Sequence, residues 1–251
     1  MHLKLTIAYD GTGLVGWQRQ AGGVSVQGLL EDACAELDGK PVAVAGAGRT
    51  DAGVHALGQV ASLTLERSIA PGSVVRALNT RLPPAVRVLD AVGVPDEFHA
   101  RFDARRKTYR YRIANGLVLS PFDRSYAWHL PAPALDLGAM AEAAAALEGL
   151  HDFKAFQGAG SETRHGTERT LDSVRVTGTS GSDRIVTVDV SGSGFLRHMV
   201  RNIIGTLVEV GVGRRPPGWL AEVLAGGDRA RAGRTAPAAG LFLVGVEYDP
   251  A

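Results

Sequence analysis

Gly48-Arg49-Thr50-Asp51-Ala52-Gly53-Val54-His55-Ala56 is the stretch from which the rest of the chain is read. An apolar run, Val42 to Ala47, precedes it. An alternating run, Gln59-Val60-Ala61-Ser62-Leu63-Thr64-Leu65, follows it. The stretch therefore reads as a loop between two strands. It packs an arginine, a threonine, an aspartate and a histidine between Gly48 and Ala56, with a glycine on each side of Asp51. Glycine lets a backbone approach a ligand with no side chain in the way, and catalytic residues concentrate on loops held by a rigid sheet. The competing reading is an Asx-turn, in which Asp51 caps its own backbone.

Outward from this loop, strand and helix periodicities alternate. Leu3, Leu5, Ile7 and Tyr9 alternate with Lys4, Thr6 and Ala8, a strand with one buried face. Ser25 is placed to cap a helix to Leu37, with Val26, Leu29, Leu30, Ala33 and Leu37 on one stripe. A strand is expected near Val42 and another over Gln59–Leu65. Pro71 starts a helix continued by Val74, Val75 and Leu78, and Val86–Val94 is a further strand. This is the β-α-β-β-α-β order of a split βαβ unit. The second half repeats it: a strand over Lys107–Ile113, a helix over Leu135–Leu147, strands over Thr170–Thr177 and Ile185–Val190, a helix over Phe195–Val210, a short one near Trp219–Leu224, and a strand over Leu241–Tyr248. The expected fold is α+β, with two ferredoxin-like halves, residues 1–104 and 105–251, whose mainly antiparallel sheets join side by side around a catalytic cleft.

Composition narrows the function. A chain of 251 residues, 45% hydrophobic, can bury a sizeable core in one large domain or two small ones. With 27 cations against 26 acids the net charge is only +1, so a nucleic-acid surface must be local. Only Lys4, Lys40, Lys107 and Lys154 are lysines; the other cations are arginines, which bind phosphate bidentately and stack on bases, although GC-rich coding DNA gives the same bias. The lone Cys34 excludes an intrachain disulfide and a multi-cysteine zinc site. Residues 1–7 read as a strand rather than a signal peptide, and no run reaches the ~18 apolar residues of a membrane span. A soluble cytoplasmic protein is expected.

Three further stretches bear on chemistry. Gly11-Thr12-Gly13-Leu14-Val15-Gly16 matches the GxGxxG dinucleotide fingerprint, but that motif needs a helix to begin inside it, and none is signalled before Ser25. A loop offering Gln18 and Arg19 to RNA suits the pattern better. Asp51 and His55 are spaced as ligands would be on a helix, but they sit in a loop, so no metal site is expected. Arg101–Arg112 holds six cations and one acid, Asp103. In its strand Tyr109 and Tyr111 share one face, and Arg110 and Arg112 the other. Tyrosines stack on unpaired bases and arginines track phosphate; the alternative is an edge strand whose tyrosines pack the core. Arg197 and Arg201 lie one turn apart on the expected helix from Phe195, where two surface arginines is the plain reading.

The loop around Asp51 resembles the catalytic loop of tRNA pseudouridine synthases of the TruA type. The resemblance extends, in family order, to Tyr9-Asp10-Gly11-Thr12 with Gly16-Trp17-Gln18-Arg19-Gln20, Tyr109-Arg110-Tyr111, His151-Asp152-Phe153, His198-Met199-Val200-Arg201-Asn202, and Thr235-Ala236-Pro237 with Gly240-Leu241. Leu14 and Val15 stand where the family commonly has aromatics, and Ala238 and Ala239 where a proline or histidine is frequent. The resemblance implies an isomerase that converts uridine to pseudouridine on the 3′ side of the tRNA anticodon stem-loop. It needs no cofactor, metal or nucleotide, and works as a homodimer bridged by tRNA. Asp51 would be the nucleophile, attacking ribose or uracil. Tyr109 would stack on the base, Arg49 would hold phosphate or the displaced strand, Arg201 would pair with the aspartate, and Leu241 would pack on uracil. Gln18, Arg19 and Arg110 would touch RNA. The rivals are an RNA-binding module without catalysis, which has no need of the carboxylate, and a nucleotide-dependent oxidoreductase built on Gly11–Gly16.

Overall fold

The structure, a computed structural model, describes residues 1–158, 166–179 and 184–249. The chain divides into two compact units, Met1–Arg105 with Phe242–Ala251, and Arg106–Leu241. Both are mixed α and β, with mostly antiparallel strand pairs.

The first unit runs β1 (His2–Tyr9), α1 (Val26–Asp38), β2 (Ala45–Gly46), β3 (His55–Thr64), α2 (Pro71–Arg81) and β4 (Val86–Gly93). β1 lies between β4 and β3, antiparallel to both; Leu5 is opposite Ala61 on one side and Ala91 on the other. Leu3, Leu5, Ile7 and Tyr9 are buried as their alternation requires. Burial of each such side chain contributes about 1.5–3 kcal/mol. Ser25 caps α1 through its hydroxyl, which accepts from Gly28 N at 3.2 Å. The helix stops at Gly39, whose φ of +83° no helical residue adopts. Pro71 opens α2.

The second unit runs β5 (Arg106–Ala114), β6 (Trp128–His129), α3 (Leu137–Ala145), β7 (Gly149–Asp152), β8 (Glu168–Gly178), β9 (Ile185–Gly192), α4 (Met199–Gly211) and α5 (Trp219–Gly226). Its strands lie in the order β5-β9-β8-β7, antiparallel throughout, and β6 runs parallel to the end of β5. Tyr109 faces Val190 and Tyr111 faces Val188 in this ladder. The last strand, β10 (Leu241–Glu247), belongs from Phe242 onward to the first unit. There it runs parallel to the start of β3, with Phe242 opposite His55 and Leu243 opposite Ala56.

Four expectations are corrected. The strand near Val42 shrinks to Ala45–Gly46. Val42 and Val44 are buried as in a strand, but Pro41 has no N–H to give, and the Val44 carbonyl is taken by the Gln27 side chain at 2.9 Å. β3 begins at His55, earlier than Gln59, because β10 pairs with its first residues. The helix expected from Phe195 begins at Met199, since His198 has a φ of +60° and cannot continue a right-handed helix. Arg197 therefore lies outside α4 and not one turn above Arg201. Finally, the second half carries two strands that were not expected, β6 and β7; neither pattern of two and four residues is long enough to show in hydrophobic periodicity.

Candidate active site

Asp51 stands, half-buried, in the loop between β2 and β3. Val54 N donates to Asp51 O at 3.1 Å, closing a tight turn, and Gly53 in that turn has a φ of +77°. The residues before Asp51 are anchored from beneath. Thr50 is buried, between exposed Arg49 and half-buried Asp51. Its hydroxyl lies 2.8 Å from the Tyr9 hydroxyl, and its carbonyl accepts from Trp17 N at 3.0 Å. Gln59 Nε2 donates to the Gly48 carbonyl at 2.9 Å and to the Tyr9 hydroxyl at 3.4 Å. Burial pushes the Tyr9 hydroxyl pKa up to about 12, so it stays protonated near neutrality.

The glycine-rich turn after β1 forms a second wall. Gly53 N donates to Leu14 O at 3.3 Å. A Cβ on Gly11 would strike the Val54 carbonyl, and one on Gly16 would sit 2.5 Å from Thr50 O. Here the glycines allow backbone-to-backbone contact with the aspartate loop, and no helix begins within them; α1 starts only at Val26. His55 joins the two walls. Its Nδ1 accepts from Gly11 N at 3.0 Å and lies 3.1 Å from Asp10 Oδ1, while its ring stacks on Phe242 with centroids 4.7 Å apart. One nitrogen cannot serve both neighbours: the neutral tautomer with its proton on Nε2 accepts from Gly11, and a protonated ring donates to Asp10 instead.

The other expected site residues fall into distinct settings. Gln18 donates to Gln27 Oε1 at 2.7 Å. Arg19 is held by α1, through Glu31 at 2.7 Å, Asp32 at 2.6 Å and the Gly28 carbonyl at 2.8 Å. In the second unit Arg110 makes a bidentate pair with Asp189 on β9, both bonds 2.8 Å. Tyr109 is buried with its ring edge-on to Phe195, centroids 5.0 Å apart. Tyr111 is core: fully buried, donating to the Pro237 carbonyl at 2.8 Å, with burial raising its pKa. Arg201 on α4 donates from Nε to the Ala236 carbonyl at 2.7 Å, and Ala236 N donates back to Arg201 O at 3.1 Å. That segment is held in turn by the buried Asn202, whose Oδ1 accepts from Thr235 at 2.6 Å and Arg229 at 3.1 Å. Leu241, at the start of β10, is buried.

Gln59 carried no functional weight in the sequence, and Tyr9 entered only as part of a motif, with no role of its own. The one available signal was a glutamine in a strand whose neighbours are otherwise small or apolar. Among the described residues no cluster of three or more His, Cys, Asp or Glu is placed to hold a metal ion, and no helix is long and apolar enough to cross a membrane.

The family model for tRNA pseudouridine synthase matches residues 5–103 and 143–249. The tRNA pseudouridine synthase A of Myxococcus xanthus is 51% identical over 246 residues, covering 98% of this chain and 91% of its own. The proteins of the same name from Moorella thermoacetica and Solibacter usitatus are 48% identical over 248 residues and 47% over 249, each alignment covering 98% of this chain and 99% of the relative. Among solved structures, a chain of a Cbf5-Nop10-Gar1 complex aligns over 82% of this chain and 45% of its own, at 15% identity and a TM-score of 0.34, too weak a likeness to bear on the fold. An α+β chain with a clamped aspartate loop, matched over nearly its full length, belongs to the tRNA pseudouridine synthase family. It is an isomerase that converts uridine to pseudouridine in tRNA. The matched spans contain Asp51, Arg49, Arg201 and Leu241; Tyr109 and Arg110 fall between them.

Proposed function

We propose that this isomerase modifies uridines on the 3′ side of the tRNA anticodon stem-loop, with Asp51 as the nucleophile. The supporting observation is the loop itself: a half-buried carboxylate on a loop held by hydrogen bonds from buried side chains, inside a span that matches the family. The reaction breaks the bond between uracil N1 and ribose C1′ and forms one between C5 and C1′. The proton on C5 is lost and N1 gains one, so no atom, electron pair or cofactor enters from outside. The base is normally stacked, so the nucleotide must be extruded before reaction. Carboxylates serve as nucleophiles at sugar carbons elsewhere, and an attack on ribose or on uracil is compatible with this placement.

The remaining roles follow the resemblance. Tyr109 stacks on the base, Leu241 packs against uracil, Arg201 supports the carboxylate's charge, and Arg49, exposed beside Asp51, takes phosphate. Gln18, Arg19 and Arg110 border the RNA surface; Arg19 and Arg110 must exchange a carboxylate for phosphate to join it. A ferredoxin-like build of each half, a tRNA-bridged homodimer and a cytoplasmic setting belong to the same proposal. The test is incubation of the purified protein with unmodified tRNA transcripts and mapping of pseudouridine by sequencing. Signal confined to the anticodon arm is the expected result; signal only in another arm overturns the assignment of site.

A further inference from the structure

We infer that Tyr9 and Gln59 are positioning residues that set Asp51 for reaction through a buried hydrogen-bond chain, an inference that rests on the reading of Asp51 as nucleophile. Gln59 is 0% exposed in the interior of β3. An apolar side chain would fill that place without asking for partners, whereas a buried amide destabilises the fold unless it is bonded. Its side chain bonds the loop, the end of β1 and its own strand: Nε2 donates to the Gly48 carbonyl and to the Tyr9 hydroxyl, and Oε1 accepts from Val60 N at 3.2 Å. The Tyr9 hydroxyl accepts from Gln59 and also shares a hydrogen bond of 2.8 Å with Thr50 Oγ1. The chain thus grips Gly48 and Thr50, two of the three residues before Asp51. A further bond to this stretch, Trp17 N to Thr50 O, is backbone only. Among the described residues no buried side-chain nitrogen or oxygen lacks a partner, so each member is committed to this arrangement. A nucleophile displaced by about 1 Å can lose 10²-fold in rate while substrate contacts made elsewhere persist.

The test compares Tyr9→Phe, Gln59→Met and their double variant with wild type in single-turnover assays on tRNA, well below each melting temperature, with tRNA affinity measured alongside. Both substitutions keep side-chain volume and remove only polar groups. Val74→Ala, a buried position on α2, serves as a control for lost stability alone. We expect rate losses of about 10- to 100-fold for each single variant, affinity within about twofold, and a double variant less impaired than the product of the singles, as for groups acting in one network. The control should melt earlier and turn over at the wild-type rate. Wild-type rates in Tyr9→Phe and Gln59→Met, or losses that simply follow the melting temperature, overturn the inference. Asp51→Asn in the same assay separates the two levels. If it is inert while Tyr9→Phe is fully active, only the positioning role fails; if it turns over normally, the nucleophile and its positioning chain fall together.

Discussion

Asp51→Asn keeps the shape and most of the hydrogen-bonding capacity of the loop and removes its charged oxygen. Turnover should fall by at least about 10⁴, roughly 5.5 kcal/mol of barrier. Affinity for tRNA should stay within a few-fold if ground-state contacts are made by other residues, as proposed. Normal turnover would return Asp51 to the Asx-turn reading. At the same scale the arginines separate. Arg110 is already paired with Asp189, which raises its pKa, whereas Arg49 is exposed. In a salt titration of tRNA affinity, Arg49→Ala should flatten the log–log slope by about 0.7–0.9, one phosphate contact, and Arg110→Ala should leave it unchanged. A flattened slope in Arg110→Ala would mean that the Asp189 pair opens on RNA binding. Single residues were unevenly legible. Asp51 stood out because a loop carboxylate between glycines has few structural uses. The occupancy of Arg19 and Arg110 did not, because their carboxylates lie 12 residues or more away in sequence, and in the second case on another strand.

Elements were read well where one periodicity persisted and badly where two environments met. β1 and α1 each have a clean buried face and a signalled end. At Phe195–His198 the apolar pattern runs on into α4, so nothing in the pattern marks the left-handed His198 that delays the helix. The start of β3 was hidden because its partner β10 is nearly 190 residues away, and residues 48–56 carry turn-forming glycines that mask the first strand residues. The same proximity gives the turn after β1 a testable role. Gly16→Ala forces a Cβ against Thr50 O at a φ of +100°, so it should cost about 2 kcal/mol or more and reduce turnover by shifting the aspartate loop. Gly13→Ala, at a φ of +77° with open space around it, should cost only the backbone strain of about 1 kcal/mol and leave chemistry intact. Denaturant unfolding and single-turnover rates read both. Equal effects would show that the turn does not bear on the loop.

For the whole molecule, composition foretold a sizeable core and a weak overall charge, and family order along the chain foretold the reaction. The buried chain through Tyr9 and Gln59 was not legible, because it is made by pairing two strands whose patterns look ordinary separately. A net charge of +1 leaves one copy with limited attraction for a long polyanion, so doubling of the surface is expected. Light scattering at micromolar concentration should give about twice 26.3 kDa, and a monomer that modifies tRNA would exclude the dimer. Buried acids should weaken the fold at alkaline pH. Burial raises Cys34 from 9.0 to about 12 and Tyr9 from 10.0 to about 12, so the folded chain keeps protons that the unfolded chain releases. Their stabilising effect is whole below about pH 9 and is lost as pH rises toward 12. Urea unfolding across that range should show the decline, and Cys34→Ala should lessen it; an identical decline in the variant would place its origin elsewhere. The return of β10 to β3 has a consequence for synthesis. The aspartate loop leaves the ribosome early, yet the strand beside His55 is translated only after all of residues 106–241. Until then the start of β3 lacks its neighbour, an open edge that invites mispairing. A nascent chain can display the aspartate loop long before the strand that flanks it exists.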